Sequence, residues 1–314
     1  MQYGDVVADE QITPRFTFLG EPVLKTHVKI GLIVASTFVM LGCQSATKPT
    51  LNNPQKITGL KTPESVVQAK DGRIYVSEIN GFGKDGDGQI TLIDRNGKAA
   101  VFATGLDDPK GLVIIGKNLY AADKNKIIRI EPDGKTSVFV ASDAFPAAPI
   151  FLNDLEADPQ GNLYVSDSGD ILGKGGGGAI YKINAQGQVT LLINDKQDAK
   201  LKGPNGLLAD DTGNFILEVD FVSGILYSLN TQTGQLTDIA EGFGGGDGLV
   251  HHSNGTMYVS DWKNGKVFSV NTKGDVTVIK SGYQAAADIA ITKDEAYLLV
   301  PDMKAGELDF IPLK

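Results

Sequence analysis

Apolar and polar residues alternate along most of the chain, in short bursts broken by turn residues. One line recurs six times: DGRIYVSE at Asp71–Glu78, GKNLYAAD at Gly116–Asp123, GNLYVSD at Gly161–Asp167, GNFILE at Gly213–Glu218, GTMYVSD at Gly255–Asp261 and AYLLVPD at Ala296–Asp302. Period-two alternation rich in β-branched and aromatic residues predicts a strand in each copy. A further strand follows every copy, starting near Gln89, Lys126, Ala179, Gly224, Gly265 and Gly306. Asn-Gly, Asp-Gly and Gln-Gly pairs between the runs predict hairpin turns. Most copies then enter another β-rich stretch, such as Thr136–Val140 or Val276–Ile279. No stretch of this region carries helical periodicity of useful length.

A unit of about four antiparallel strands, repeated at roughly 40–50 residues, is the pattern of a propeller blade. The expected fold is all-β: a six-bladed β-propeller, with four antiparallel strands per blade. Six blades fit between Lys56 and Lys314, but the sixth lacks its fourth strand. The segment ITGLKTPE at Ile57–Glu64 mirrors ATGLDDPK at Ala103–Lys110, which follows a fourth strand. An N-terminal strand near Gln55–Gly59 is therefore expected to complete the last blade. Closure of this kind removes an open sheet edge.

The chain before the propeller reads as an address. Ile30–Gly42 is apolar and free of charge, with Lys25 and Lys29 ahead of it. A membrane-spanning helix needs about 20 apolar residues, whereas a secretory core needs about 7–15 after positive charge. The run ends in Met40-Leu41-Gly42-Cys43 and a polar, proline-containing stretch. This resembles a bacterial lipoprotein signal, with Met40 and Leu41 departing from the usual lipobox and Gly42 fitting it. The other reading is a buried Cys43 after a core helix. The expected organisation is an upstream extension and lipoprotein signal peptide over 1–42, a lipid-attached tether over 43–54, and the propeller over 55–314. Cys43 is the expected lipidation site, and Gln44 resembles outer-membrane sorting. The expected location is the bacterial cell envelope, at the periplasmic face of the outer membrane, held through the N-terminal lipid only. Because a signal normally starts with a short basic region, translation is expected to begin later than Met1.

The 314 residues are 41% hydrophobic and 21% charged, with formal net charge −9. That balance, without a Lys/Arg cluster, argues against a nucleic-acid partner and suits cations. A single Cys excludes an internal disulfide and any multi-thiolate metal site. Three His make a His-rich zinc site unfavourable.

A polar residue recurs just before each inner strand: Glu64, Lys110, Asn153-Asp154, Asn205, Asp247 and Asp288. Inner strands of a propeller run along its axis, so these positions should converge at one mouth of the central tunnel. Glu64, Asn153, Asn205 and Asp247 offer oxygen donors suited to a hard cation, most readily Ca2+, with waters completing the shell. Zinc or copper would want His or Cys, which this mouth lacks. Asn-Gly and Asp-Gly are also ordinary turn pairs, so it is their coincidence across blades that carries the expectation.

These motifs resemble the senescence-marker-protein / gluconolactonase / luciferin-regenerating-enzyme family, over nearly the whole region from Pro54 onward. The resemblance implies a six-bladed propeller holding a divalent cation, usually calcium, in its tunnel. Glu64, Asn153-Asp154, Asn205-Gly206 and Asp247-Gly248 match the family's motif positions. Propellers similar to diisopropyl fluorophosphatase use the same four kinds of ligand, so the resemblance implies the metal chemistry more firmly than the substrate. Phe151 stands where family lactonases often carry Arg, and no substrate-binding Glu is evident near Ile171, which points toward a more apolar lactone or ester. Lys110 is unusual at its place: it either orients an anionic substrate group or pairs with Asp288 or Glu64. Asp247 is the expected general base, with direct nucleophilic attack as the other route. Asp288 is the expected proton-handling neighbour.

Three functional readings follow. The first is a calcium-dependent hydrolase of lactones or related esters, acting as a monomer on a small molecule. The second is a non-enzymatic envelope propeller, a scaffold or ligand-binding lipoprotein. The third is a phosphotriesterase-like hydrolase. His251-His252 is expected at the far end of its strand from Asp247, and Trp262 is expected to pack.

Overall fold

The computed structural model describes residues 54–313. Cys43 and the segment read as an export signal lie outside the described residues. The described chain forms six four-stranded antiparallel sheets arranged as blades. The inner strands are Pro63–Gln68, Pro109–Ile115, Leu152–Ala157, Pro204–Ala209, Gly246–His251 and, in blade 6, the short Ala290–Ile291. In each of blades 1 to 5 the chain then steps outward through three more strands in sequence order.

Blade 6 is completed from the other end of the propeller. Ile57 pairs with Leu308 and Thr58 with Glu307, so the first described strand forms the outer edge of the last sheet. The expected closure is borne out, although the strand itself is only Ile57–Thr58. One short 3-10 turn, Ser142–Ala144, is the sole helical element among the described residues.

Alternation explains the core. In the second strand of blade 1, Ile74 and Val76 pack toward blade 6, while Tyr75 packs toward blade 2. In blade 3, Leu163 and Val165 face blade 2, and Tyr164 faces blade 4. Each sheet thus donates alternate side chains to two neighbours, and six apolar seams hold the ring together. Burial on both faces is why both phases of these strands carry apolar side chains.

The acid that ends each repeated line has a defined task. Asp220 accepts the backbone N–H groups of Lys202, Gly203, Val222 and Ser223 at 2.7–3.0 Å. Asp167 accepts from Ile150 and Phe151, and Asp302 from Gln284 and Ala285. Asp261 holds Gly245 in the same way. These carboxylates satisfy buried donors in the loop that enters the inner strand, where no sheet partner is available. The pairing Pro204↔Asp220 makes Asp220 the closing acid of blade 4. The fourth copy of the repeat, read from sequence as ending at Glu218, therefore ends two residues later.

Candidate functional site

Register defines the site. Each inner strand begins opposite the closing acid of its own second strand: Pro63↔Glu78, Pro109↔Asp123, Leu152↔Asp167, Pro204↔Asp220 and Gly246↔Asp261. A bulge follows each of these pairs before regular pairing resumes. In blade 6 the equivalent contact is the isolated bridge Ala286↔Asp302. The second place of each inner strand is consequently Glu64, Lys110, Asn153, Asn205, Asp247 and Ala287, all buried.

This corrects the expectation for blade 6. Asp288 belongs to the third place, beside Ser65, Gly111, Asp154, Gly206 and Gly248. The polar ring therefore has five members, and its sixth position is apolar. In the run Ala285-Ala286-Ala287-Asp288 only Asp288 is polar, and it stands one residue past the second place. The bridge Ala286↔Asp302 and the pairs Ala290↔Leu299 and Ile291↔Leu298 fix the register.

The third-place layer knits the tunnel wall. The Ser65 hydroxyl donates to Asp288 at 2.5 Å and accepts from the Leu112 N–H at 3.1 Å. Asp154 accepts from the Leu207 N–H at 2.6 Å and from the Leu155 N–H at 2.7 Å. Where no side chain bridges, the blades approach closely. A Cβ at Gly206 would lie 2.1 Å from the Asp247 carbonyl oxygen, and one at Gly248 2.4 Å from the Ile289 nitrogen. The Asn-Gly and Asp-Gly pairs are therefore packing requirements as well as polar positions.

At the second place, buried oxygens lack partners. Glu64 Oε2, Asn205 Oδ1 and Asp247 Oδ1 make no hydrogen bond, though each is sealed from solvent. Asn153 is oriented: its Nδ2 donates to Ser168 Oγ at 3.0 Å, and that hydroxyl donates to the Pro204 carbonyl at 2.8 Å. The Asp288 N–H donates to the Glu64 carbonyl at 2.9 Å, joining blades 6 and 1. Among the described residues, no three of His, Cys, Asp and Glu cluster as metal ligands. A cation at this ring would depend on the amide oxygens of Asn153 and Asn205 beside the two carboxylates.

Burial raises the proton affinity of Glu64 well above the ordinary range, with Asp247 and Asp288 adding to it. Asp247 moves the same way, first through burial and then through Asp288 and Asp261. Asp288 is pushed up to about 7 by burial, against the Ser65 hydrogen bond. Desolvation outweighs mutual repulsion as the cause of the rise in all three groups.

Lys110 closes neither of the ion pairs considered for it. Its Nζ donates to the Asp108 carbonyl at 3.1 Å and lies 4.3 Å from the Phe151 ring centroid. Burial lowers its proton affinity, and Glu64 works against that through space. Phe151 is thus a ring face for the ammonium. His251 ends the inner strand that Asp247 begins, so it sits away from the ring. The Trp262 Nε1–H donates to Met303 Sδ at 3.2 Å, in keeping with a packing role.

Past the third-place layer, the inner strands enclose a cavity of about 720 Å3, with Asp154, Glu156, Asp288 and Lys293 among its lining. Glu156 is pushed up to about 7 by burial there.

The fold matches known proteins. A model of the SMP-30/Gluconolactonase/LRE-like region matches residues 108–300, more than half of the chain, and the protein belongs to that family. Among solved structures it is similar to a gluconolactonase from Xanthomonas campestris, with TM-score 0.68 and 14% identity over 84% of this chain and 91% of that one. It is similar to regucalcin from Agrobacterium tumefaciens, a calcium-binding protein, with TM-score 0.65 and 18% identity over 81% and 90%. Virginiamycin B lyase from Staphylococcus aureus shares the fold at TM-score 0.57 and 15% identity, over 83% and 88%. At these identities the likeness is one of fold. No curated protein sequence matches the chain.

Proposed function

We propose that the protein is a calcium-dependent hydrolase of lactones or related esters, acting where the inner strands begin. The observation that carries this reading is the set of sealed, unpartnered oxygens on Glu64, Asn205 and Asp247, at one register position of three blades. A buried polar atom left unpaired costs about 1–3 kcal/mol. Three at one place fit a ligand that supplies positive charge. The donors are all oxygen, which suits a hard cation taking about 6–8 oxygens and disfavours zinc or copper. Glu64, Asn153, Asn205 and Asp247 would hold the ion, with water filling the remaining positions. Family membership and the calcium-binding and gluconolactonase neighbours support the same reading.

When bound, the ion supplies Lewis acidity toward a carbonyl oxygen and toward the charge that grows on it. The chain supplies the rest. Asp247 takes the proton from an attacking water and returns it to the leaving alkoxide oxygen as the acyl carbon–oxygen bond breaks. Asp288, hydrogen-bonded to Ser65, exchanges protons with that pair. The Lys110 ammonium orients an anionic group on the substrate, and Phe151 favours an apolar body over a sugar. Lipid attachment at Cys43 and a place at the cell envelope belong to the same proposal.

The test is metal content and thermal melting of the full chain, with and without chelator, followed by hydrolysis of a lactone, aryl ester and phosphotriester panel. Stoichiometric calcium, a melt lowered by chelator, and a loss of turnover of at least about 100-fold in Asp247→Asn are expected. No bound ion and no shift on adding calcium would overturn the reading. Turnover confined to phosphotriesters would replace it with a phosphotriesterase.

A further inference from the structure

Blade 6 interrupts the polar ring with an apolar wall. Ala287, fully buried at the second place, packs with Ile79, Ala285 and Met303, and Trp262 lies against them. The next residue, Asp288, donates its N–H to the Glu64 carbonyl. The wall therefore starts beside the candidate cation ring. It continues into an open surface cleft of about 510 Å3 whose lining includes Leu60, Thr62, Phe82, Trp262, Met303 and Lys304. That volume is in the range of about 300–1,000 Å3 typical of small-molecule pockets. Phe82 is 51% exposed, a large apolar group left facing this space. Lys304 Nζ lies 4.0 Å from the Trp262 ring centroid, and Lys263 Nζ 4.2 Å from that of Phe221, itself 6.1 Å from Trp262.

We infer that this pocket binds an aromatic ring of the substrate, making the substrate class an aryl ester or aryl lactone rather than a sugar lactone. As a statement about substrate, this rests on the hydrolase reading above. The argument is chemical. The lining offers ring faces and a thioether, which contact an aromatic group well. Among the lining side chains, hydroxyl and ammonium donors come only from Thr62 and Lys304. A sugar ring carries hydroxyls around its rim and would leave most of them unpaired here. The Lys304 ammonium at the ring face favours a ligand that also bears a carboxylate.

Trp262 is the chain's sole tryptophan, so its emission reads this pocket without any need for turnover. The full chain is titrated with phenylacetate, and with gluconate as the sugar-acid comparison. A saturable change in emission with phenylacetate is expected, and none with gluconate at tenfold higher concentration. Met303→Ala should weaken phenylacetate at least tenfold. Phe82→Ser, whose parent side chain is half exposed, should weaken it at least fivefold without threat to folding. In hydrolysis, Phe82→Ser should raise KM for phenyl acetate and leave KM for gluconolactone unchanged. No saturable phenylacetate signal, or an equal response to gluconate, overturns the subsite even if lactones are hydrolysed. Saturable aromatic binding that both variants weaken, in a protein that hydrolyses no ester or lactone, supports the pocket and overturns the hydrolase reading.

Discussion

The acids that close the second strands and the acids that open the inner strands are equally buried, yet the first set is the better hydrogen-bonded, with Asp123 Oδ2 its one oxygen left without a hydrogen-bond partner. Asp220 accepts four backbone N–H groups, and Asp302 accepts from Gln284, Ala285 and Ala305. Glu64 and Asp247 each keep an oxygen with no partner. The two sets lie one strand apart in the same sheets. The difference teaches that burial alone does not mark a functional acid. A satisfied carboxylate is a structural clamp, and an unsatisfied one is held at a cost that a ligand can offset.

The comparison can be broken first at the clamp. Asp220→Ala removes the acceptor for four N–H groups and should cost about 3–6 kcal/mol. That lowers the melt by about 6–24 °C, at about 2–4 °C per kcal/mol for large domains. Calorimetric melting should show the loss with and without calcium alike.

Asp247→Asn should behave in the opposite way. Calcium affinity measured by titration calorimetry should fall at least about 100-fold, while the chelated protein melts at the same temperature or a few degrees higher, because a buried unpaired charge is gone. A drop in the chelated melt as large as that of Asp220→Ala would erase the distinction.

Acidity sharpens the comparison further. Asp288 and Glu156 rise to about 7 in the folded chain, from ordinary values of 3.8 and 4.5. Asp123 rises to about 6 from 3.8. Between the unfolded and folded values, the folded chain holds more protons than the unfolded one. Stability contributed by these groups is therefore present at low pH and lost as pH rises through about 4 to 7. The chelated protein should melt several degrees lower at pH 8 than at pH 5, and calcium should flatten the slope. A melt that climbs over that window would contradict it.

The smallest effect concerns Glu218. It is fully buried, and neither carboxylate oxygen has a partner. Its register position holds Val76, Ala121, Val165, Val259 and Val300 in the other blades. Glu218→Val should add about 1–3 kcal/mol and raise the melt by a few degrees.

Much of this was legible in the chain. The six repeats, their turns and the borrowed outer strand follow from alternation and glycine placement, and the strands at Asp71–Glu78 or Gly255–Asp261 needed no tertiary information. Glu64, Asn153, Asn205 and Asp247 were legible because they occupy one phase of the repeat. Blade 6 was not, because Ala287 carries no polar signal and Asp288 beside it does. Blade 4 misled for the same reason: Glu218 looks like a closing acid two residues before Asp220.

The sequence by itself determined the blade count, the strand periodicity and the residue types of four ring positions, since each is a local pattern with a fixed period. The tertiary structure decided which acids are clamps and which are orphans, and which side of the mouth is apolar. Those outcomes depend on backbone donors and side chains delivered by neighbouring blades. Ser65 of the first blade reaching Asp288 of the last is a relation between segments far apart in the chain that no local pattern encodes.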